Sequence, residues 1–168
     1  MKKIGIVFGS TTDNTRNAAQ KIAGKLSGEE VSLIDVSGLK AGDLDSYPNL
    51  ILGTSTWGFG DLQDDWEEHL SVLTNSNLEG KTVAFFGLGD SSSYPDTFVD
   101  GVGILYEAVK DKGCNIIGEV PVDGYHFDDS KAAEDGHFAG LALDEDNEAS
   151  LTDERIDKWI TEILPLFT

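Results

Sequence analysis

The stretch Lys3-Ile4-Gly5-Ile6-Val7-Phe8-Gly9-Ser10-Thr11-Thr12-Asp13-Asn14-Thr15 decides the fold class. Its first six residues form a short β-branched and aromatic run that stops at Gly9-Ser10, and beyond the hydroxyl and amide residues Ala18, Ala19, Ile22 and Leu26 recur at helical spacing. Strand, loop and helix therefore follow one another, and the alternation continues outward. Val31 to Val36, Asn49 to Thr54 and Lys81 to Leu88 read as further strands, and Asn115 to Gly118 opens a fifth. Between them Trp66, Leu70 and Leu73 mark one face of a helix. Phe98, Val102, Leu105 and Val109 line another, expected to end at Gly113, where glycine accepts the left-handed cap conformation. Ile156, Trp159, Ile160, Ile163 and Leu164 form the stripe of a last helix beginning near Thr152, with Asp153 and Glu154 suited to its positive end. Near-continuous apolar strands alternating with helices predict a three-layer α/β/α domain around a doubly wound, five-stranded parallel sheet.

One stretch breaks the alternation. Residues from about 120 to 150 carry glycines, aromatics and acids but no sustained helical stripe, and read as an insertion within a single domain spanning residues 1–168. Tyr125, Phe127, Phe138, Leu141 and Leu143 give it apolar material to pack.

Charge narrows the partners. The 168 residues carry 12 Lys plus Arg against 31 Asp plus Glu, a formal charge of -19, which opposes nucleic-acid phosphates and anionic membranes. No apolar run approaches the length of about 18 residues that a membrane span needs, and the start lacks a secretory apolar segment. The single cysteine, Cys114, cannot make an internal disulfide or supply a metal cluster, so it reads as a small buried hydrophobe in a reduced, cytoplasmic setting. His69, His126 and His137 lack metal-like spacing, and no metal site is expected. Acid runs such as Asp144-Glu145-Asp146 read as solvated.

In an open parallel sheet, ligands sit beyond the carboxyl ends of the strands where the strand order reverses. The first such loop, Gly9 to Thr15, offers hydroxyls, an amide and backbone N–H groups at a helix N-terminus, which can surround a phosphate or simply cap the helix. It has neither the lysine of a nucleoside-triphosphate loop nor the three glycines of a dinucleotide fingerprint, so a monophosphate suits it better. Thr54-Ser55-Thr56-Trp57-Gly58-Phe59-Gly60-Asp61 and Gly87-Leu88-Gly89-Asp90-Ser91-Ser92-Ser93-Tyr94 put an aromatic into each of two neighbouring loops. Each aromatic alone would be core packing; together they can clamp a flat heterocycle, since stacking adds about 0.5–1.5 kcal/mol per ring beyond burial.

These segments resemble the flavodoxins, which are themselves an example of the switch-point rule. The resemblance covers the whole chain. Gly124-Tyr125-His126-Phe127-Asp128-Asp129-Ser130-Lys131-Ala132 and Gly140-Leu141-Ala142-Leu143-Asp144-Glu145-Asp146-Asn147, followed by Leu151-Thr152-Asp153-Glu154-Arg155-Ile156, are similar to the long-chain flavodoxins, whose fifth strand is interrupted by an insertion. The resemblance implies non-covalently bound flavin mononucleotide (FMN), with Ser10, Thr11, Thr12, Asp13, Asn14 and Thr15 at its phosphate. Trp57 and Tyr94 would cover the isoalloxazine, and Gly89 and Asp90 would meet its pyrimidine edge. Asp146 would approach the ribityl chain, and further contacts are implied at Ser55, Thr56, Gly58, Phe59, Gly60, Thr97 and Phe98. Asp13 stands where the family usually has glycine and Thr97 where long-chain members often have asparagine. A carboxylate beside a phosphate repels it, so Asp13 is expected to contribute its backbone N–H alone.

The implied function is a low-potential one-electron carrier cycling mainly between neutral semiquinone and anionic hydroquinone, not an enzyme. It would be a monomer serving basic redox partners such as a flavodoxin reductase or an acceptor oxidoreductase. Gly58 is expected to turn its carbonyl toward flavin N5 when that atom gains a proton. Five carboxylates about 10 Å from the flavin would each disfavour a second negative charge by roughly 0.4 kcal/mol, together roughly 90 mV for a one-electron couple. A flavin-dependent quinone reductase shares fold and cofactor and is the alternative. Gly89-Asp90-Ser91 with Asp123-Gly124-Tyr125-His126 imitates pieces of a hydrolase triad, but consecutive serines in a loop are more simply turn residues. A phosphoacceptor signalling domain would need clustered acids after the first strand, where Gly9-Ser10 stand.

Overall fold

The computed structural model describes all residues, 1–168. In chain order the elements are β1 (Lys3–Phe8), α1 (Asn14–Lys25), β2 (Glu30–Asp35), β3 (Asn49–Trp57), β4 (Asp61–Leu62), α2 (Asp64–Asn75), β5 (Thr82–Leu88) and α3 (Asp100–Val109). The short strands β6 (Asn115–Ile116), β7 (Val120–Pro121), β8 (Ala133–Glu134), β9 (His137–Phe138) and β10 (Leu141–Leu143) follow, then α4 (Glu145–Glu148) and α5 (Thr152–Ile163). The main sheet runs β10-β5-β3-β1-β2, all parallel, with β4 folded back antiparallel on β3 and β6 parallel to β5. The order reverses after β1, so the loops leaving β1, β3 and β5 meet at one end of the sheet. No helix is long and apolar enough to cross a membrane.

Strand alternation sorts the core into two layers. Ile4, Ile6, Phe8, Ile51, Ala84 and Phe86 face α1 and α5, whereas Val7, Leu50, Leu52, Val83 and Phe85 face α2 and α3. Each layer is keyed by an indole: Trp66 and Trp159 are fully buried, and their Nε1–H groups donate to the Gly53 and Gly118 carbonyls, both at 2.8 Å. Neither buried polar atom is left unpaired, so both rings contribute their full apolar burial, on the order of 2–3 kcal/mol each.

The fifth strand is split. β6 pairs with Thr82 and Val83, and β10 pairs with Phe86, Gly87 and Leu88, so the two lie on the same edge of β5. Between them residues 117–140 leave the sheet and form a small antiparallel sheet, β7-β9-β8. The stretch expected to be inserted, residues 120–150, is thus narrower than its composition suggests: Leu141–Leu143 is a core strand, and its apolar residues belong to the main sheet. Phe138 is fully buried and packs on Phe98, Tyr125 and Phe127, which plants the insertion against α3. The Tyr125 hydroxyl donates to the Ala142 carbonyl at 2.8 Å and Arg155 lies 4.0 Å over its ring; burial pushes this phenol up to about 12.

The insertion also resets α3. Helical spacing starts at Phe98, but Val99 adopts a left-handed conformation (φ 48°) and the helix begins at Asp100. Asp100 is 2 % exposed and its carboxylate accepts from the Lys131 N–H at 2.7 Å, tying the helix start to the insertion. At the other end α3 stops at Val109, short of the expected Gly113, which takes φ 78° in the turn that follows. Cys114 is half-buried rather than buried, and desolvation raises its thiol pKa.

Burial likewise raises the Asp100 carboxyl above its ordinary value, the Lys131 amide and charge opposing and Asp129 adding to the shift. The native state therefore holds this proton more tightly than the unfolded chain, and stability declines as pH rises through the folded pKa. Asp100→Asn is expected to raise Tm at neutral pH by about 2 °C, a gain that shrinks as pH falls toward the ordinary carboxylate range, as thermal melts at several pH values would record.

Candidate functional site

The loop between β1 and α1 leaves several donors without protein partners. Gly9 N–H bonds the Gly53 carbonyl and Arg16 N–H bonds Ser10 Oγ at 3.3 Å, and the amides between them find no protein acceptor. Thr15, in the first turn of α1, is 1 % exposed and its hydroxyl has no hydrogen-bond partner. A buried hydroxyl without a partner costs about 1–3 kcal/mol, and beside free amides at a helix N-terminus the acceptor it calls for is an anion. No lysine enters the loop, so the donor set fits a phosphate monoester.

Asp13 takes φ 69°, a left-handed conformation that costs a non-glycine residue and that glycine adopts freely. Its carboxylate is 72 % exposed and contacts Arg16 Nε at 3.4 Å, while Arg16 also holds Asp35 at 3.0 Å. The carboxylate is thus turned to solvent and to Arg16.

The second wall is the turn between β3 and β4. Trp57 pairs with Asp61 across it, and Gly58 (φ 52°) and Gly60 (φ 99°) make the reversal possible. Trp57 Nε1–H donates to Ser55 Oγ at 2.9 Å, and Thr56 Oγ1 accepts from the Gly101 N–H at 2.9 Å, which ties the turn to the start of α3. Trp57 remains 38 % exposed, and Tyr94, from the loop after β5, 40 %.

The third wall joins two segments distant in sequence. Asp90 Oδ1 accepts from the Ser93 N–H at 3.0 Å and from Asn147 Nδ2 at 2.9 Å. Burial works to raise its pKa, but these bonds and those from Ser92 outweigh it and hold the carboxyl below its ordinary value. Asp146 is pushed upward, by burial first and then by the charges of Asp90, Asp144 and Glu145. Carboxylate oxygens of Asp90, Asp144 and Asp146 lie within 4.8 Å of one another.

These walls enclose a cleft of about 420 Å³. Of the expected residues, Thr12, Asn14, Ser55, Thr56, Trp57 and Gly58 line it from the first two loops, and Gly89, Asp90, Tyr94 and Asp146 from the third wall. Ser10, Asp13 and Thr15 stand in the adjoining loop, and Thr11 spends its hydroxyl on Gln63 Nε2 at 3.1 Å.

Four expected residues lie elsewhere. Phe98 is 1 % exposed and packs in the core against Tyr125, Phe127 and Phe138 of the insertion, beside the left-handed turn at Val99. Phe59 is 90 % exposed at the tip of its turn, with only the edge of Tyr94 beside it. Gly60 packs over the Asp100 carboxylate, where an added Cβ would sit 2.6 Å from Oδ2, and Thr97 flanks it on the same side.

Sequence reading missed Leu88 and Glu145 as lining residues, and it missed the supports behind them. Gln63, 1 % exposed, accepts from the Trp66 N–H and donates to Thr11, so it ties the first loop to the start of α2. Asp144 heads an acid run that composition marks as solvated, yet it is fully buried. Its spacing to Asn147, that of a helix cap and the third residue beyond it, was the available signal. The imitation triad is absent: the Ser91 hydroxyl donates to Asp144, and His126 is exposed in the insertion.

Comparison with known proteins agrees with this geometry. The flavodoxin family model matches residues 6–159. A flavodoxin of Trichodesmium erythraeum is 46% identical over 165 residues, 97% of this chain and 96% of its own length. A Helicobacter pylori flavodoxin is 44% identical over 163 residues, 97% of each. The crystal structure of Fusobacterium nucleatum flavodoxin bound to flavin mononucleotide matches 100% of both chains with a TM-score of 0.94 at 36% identity. Sheet order, an anion-seeking loop, two exposed aromatics and full-length similarity converge, and the chain belongs to the flavodoxin family.

Proposed function

We propose that this chain is a low-potential one-electron carrier that holds FMN non-covalently in the cleft and passes electrons between redox proteins. As a flavodoxin it is an electron-transfer protein rather than an enzyme, and FMN is its cofactor. The observation that carries the assignment of the cleft is the buried, unpartnered Thr15 hydroxyl beside free loop amides. Ser10, Thr12, Asn14 and Thr15 would hold the phosphate, Trp57 and Tyr94 the flat ring, Gly89 and Asp90 its polar edge, and Asp146 the connecting chain.

When bound, FMN supplies two separable one-electron steps. The protein's residues set how far apart they lie. Trp57 and Tyr94 exclude water from the ring, which disfavours any charge placed on it. The repulsion that adds to burial in raising the Asp146 pKa also meets a further negative charge in the cleft, so Asp90, Asp144, Glu145 and Asp146 oppose the second electron and lower its potential. A carrier of net charge -19 suits basic partners, such as a flavodoxin reductase or an acceptor oxidoreductase.

Gly58 provides the adjustable part. At φ 52° it sits where L side chains are strained, and without a Cβ its peptide to Phe59 reorients at low steric cost. Gly58→Val is expected to impose about 1–2 kcal/mol of strain on that peptide and to narrow the gap between the two potentials by roughly 40–90 mV, measured by redox titration. The test of the function itself is an absorption spectrum during stepwise reduction of the purified protein. Bound FMN reduced in two resolved one-electron stages supports the carrier; a colourless protein that cannot be reconstituted with FMN refutes it.

A further inference from the structure

The third wall of the cleft is built from segments more than fifty residues apart, and one side chain joins them. Asp144 is fully buried, directly after β10, and its carboxylate is hydrogen-bonded by donors from Ser91 and Asn147 although the carboxylates of Asp90 and Asp146 lie close by. Ser91 donates to Oδ2 through both its N–H, at 3.2 Å, and its hydroxyl. Asn147 donates to Oδ1 through its N–H at 3.1 Å, and its Nδ2 lies 3.0 and 3.1 Å from the two oxygens. The same Nδ2 donates to Asp90 Oδ1 at 2.9 Å. A carboxylate only accepts, and four donor groups converging on one buried carboxylate use it fully.

We propose that Asp144 is the positioning residue of the cleft: its carboxylate clamps the loop after β5 to the start of α4 and, through Asn147, aims Asp90 into the site. Asp144 itself is buried behind the cleft and does not line it. Its place explains why a buried acid is kept beside Asp90, Glu145 and Asp146, three other acids whose charges it can only repel. The clamp spans the junction where β10 returns to the sheet after the insertion, so the tertiary pairing of β10 with β5 delivers Asp144 to Ser91.

The consequence for the ligand rests on reading the cleft as the FMN site, whereas the clamp itself is testable without FMN. In the apoprotein the carboxyl titration of Asp90, followed by carbon-13 NMR, discriminates by sign. Removing the Asp144 charge alone would lower the Asp90 pKa, by relieving repulsion; releasing Asn147 would raise it, by deleting the bond that favours the charged form.

Asp144→Ala is expected to raise the Asp90 pKa toward the ordinary carboxylate value, though by less than Asn147→Ala, because it also removes a repelling charge. The double variant should go no further, because both substitutions remove one coupled contact. Asp144→Asn is the second variant should the alanine fail to fold. Its amide oxygen keeps capping Asn147, but its NH₂ must face a Ser91 donor, so hydrogen exchange should accelerate at Ser91 with little change at Asp90. In the loaded protein, FMN release from Asp144→Ala and Asn147→Ala should quicken together by about tenfold or more. A folded Asp144→Ala whose Asp90 pKa is unchanged or lowered overturns the proposal, as does an Asp144→Asn variant with native protection at Ser91. Failure of the wild-type protein to bind FMN would instead refute the cofactor reading, while the apoprotein titration would still decide for or against the clamp.

Discussion

Thr15→Val is expected to weaken FMN binding by about ten- to a hundredfold while leaving the apoprotein at least as stable as before. The two effects have opposite signs because the hydroxyl is already buried without a partner. In the apoprotein it carries an uncompensated desolvation cost, and a methyl of similar shape removes that cost. With a phosphate present the same hydroxyl would donate to a charged acceptor, a bond worth about 1.5–3 kcal/mol, and each 1.4 kcal/mol corresponds to about tenfold in affinity. Quenching of flavin fluorescence on titration measures the affinity, and urea denaturation of the apoprotein measures the stability. Unchanged affinity would place the phosphate away from Thr15; a destabilised apoprotein would mean that the hydroxyl is satisfied in solution.

Gly140→Ala is expected to destabilise the protein by about 3 kcal/mol or more, the largest effect on stability foreseen for a single added methyl. A Cβ at this position would lie 2.2 Å from the Phe85 carbonyl oxygen and 2.7 Å from its carbon. Both are backbone atoms of β5, so no rotamer change relieves the clash. Relief requires β10 to move off β5, which would break the pairing of Leu141–Leu143 with Phe86–Leu88 and withdraw Asp144 from Ser91. A lowered urea midpoint with faster FMN release is the expected pair of readings. By contrast Gly136, in the turn between β8 and β9, has open space around its Cβ position, so any cost there comes from its φ of 80° alone. Native stability in Gly140→Ala would show that the second half of the fifth strand is dispensable.

Local residue patterns carried most of the fold. Each strand of the core is a near-continuous apolar run because both faces are covered, and α5 displays its stripe of Ile156, Trp159, Ile160 and Ile163 at the spacing that a helix on a sheet requires. Boundaries were legible only where local chemistry set them. The start of α3 was not, since Asp100 answers to Lys131 in the insertion, and the start of β10 was not, since three residues become a strand only by pairing with β5.

The cleft divides in the same way. Thr12, Asn14, Trp57, Asp90 and Tyr94 were identifiable because each lies in a loop at the carboxyl end of a strand, and strand order alone brings those loops together. Phe98 was misplaced and Asp144 misread because neither fate is local. A ring next to such a loop goes into the cleft or the core according to which distant rings the fold brings beside it, here Tyr125, Phe127 and Phe138, and an acid in an acidic run is solvated or buried according to which donors the fold brings to it. By itself the sequence determined the alternation of strands and helices, hence the layers, and the kinds of group in the loops at the strand ends, since these follow from periodicity and from residue type. Only the tertiary structure decided the split fifth strand, the orphaned hydroxyl of Thr15 and the clamp at Asp144, because each depends on contacts between segments far apart in the chain.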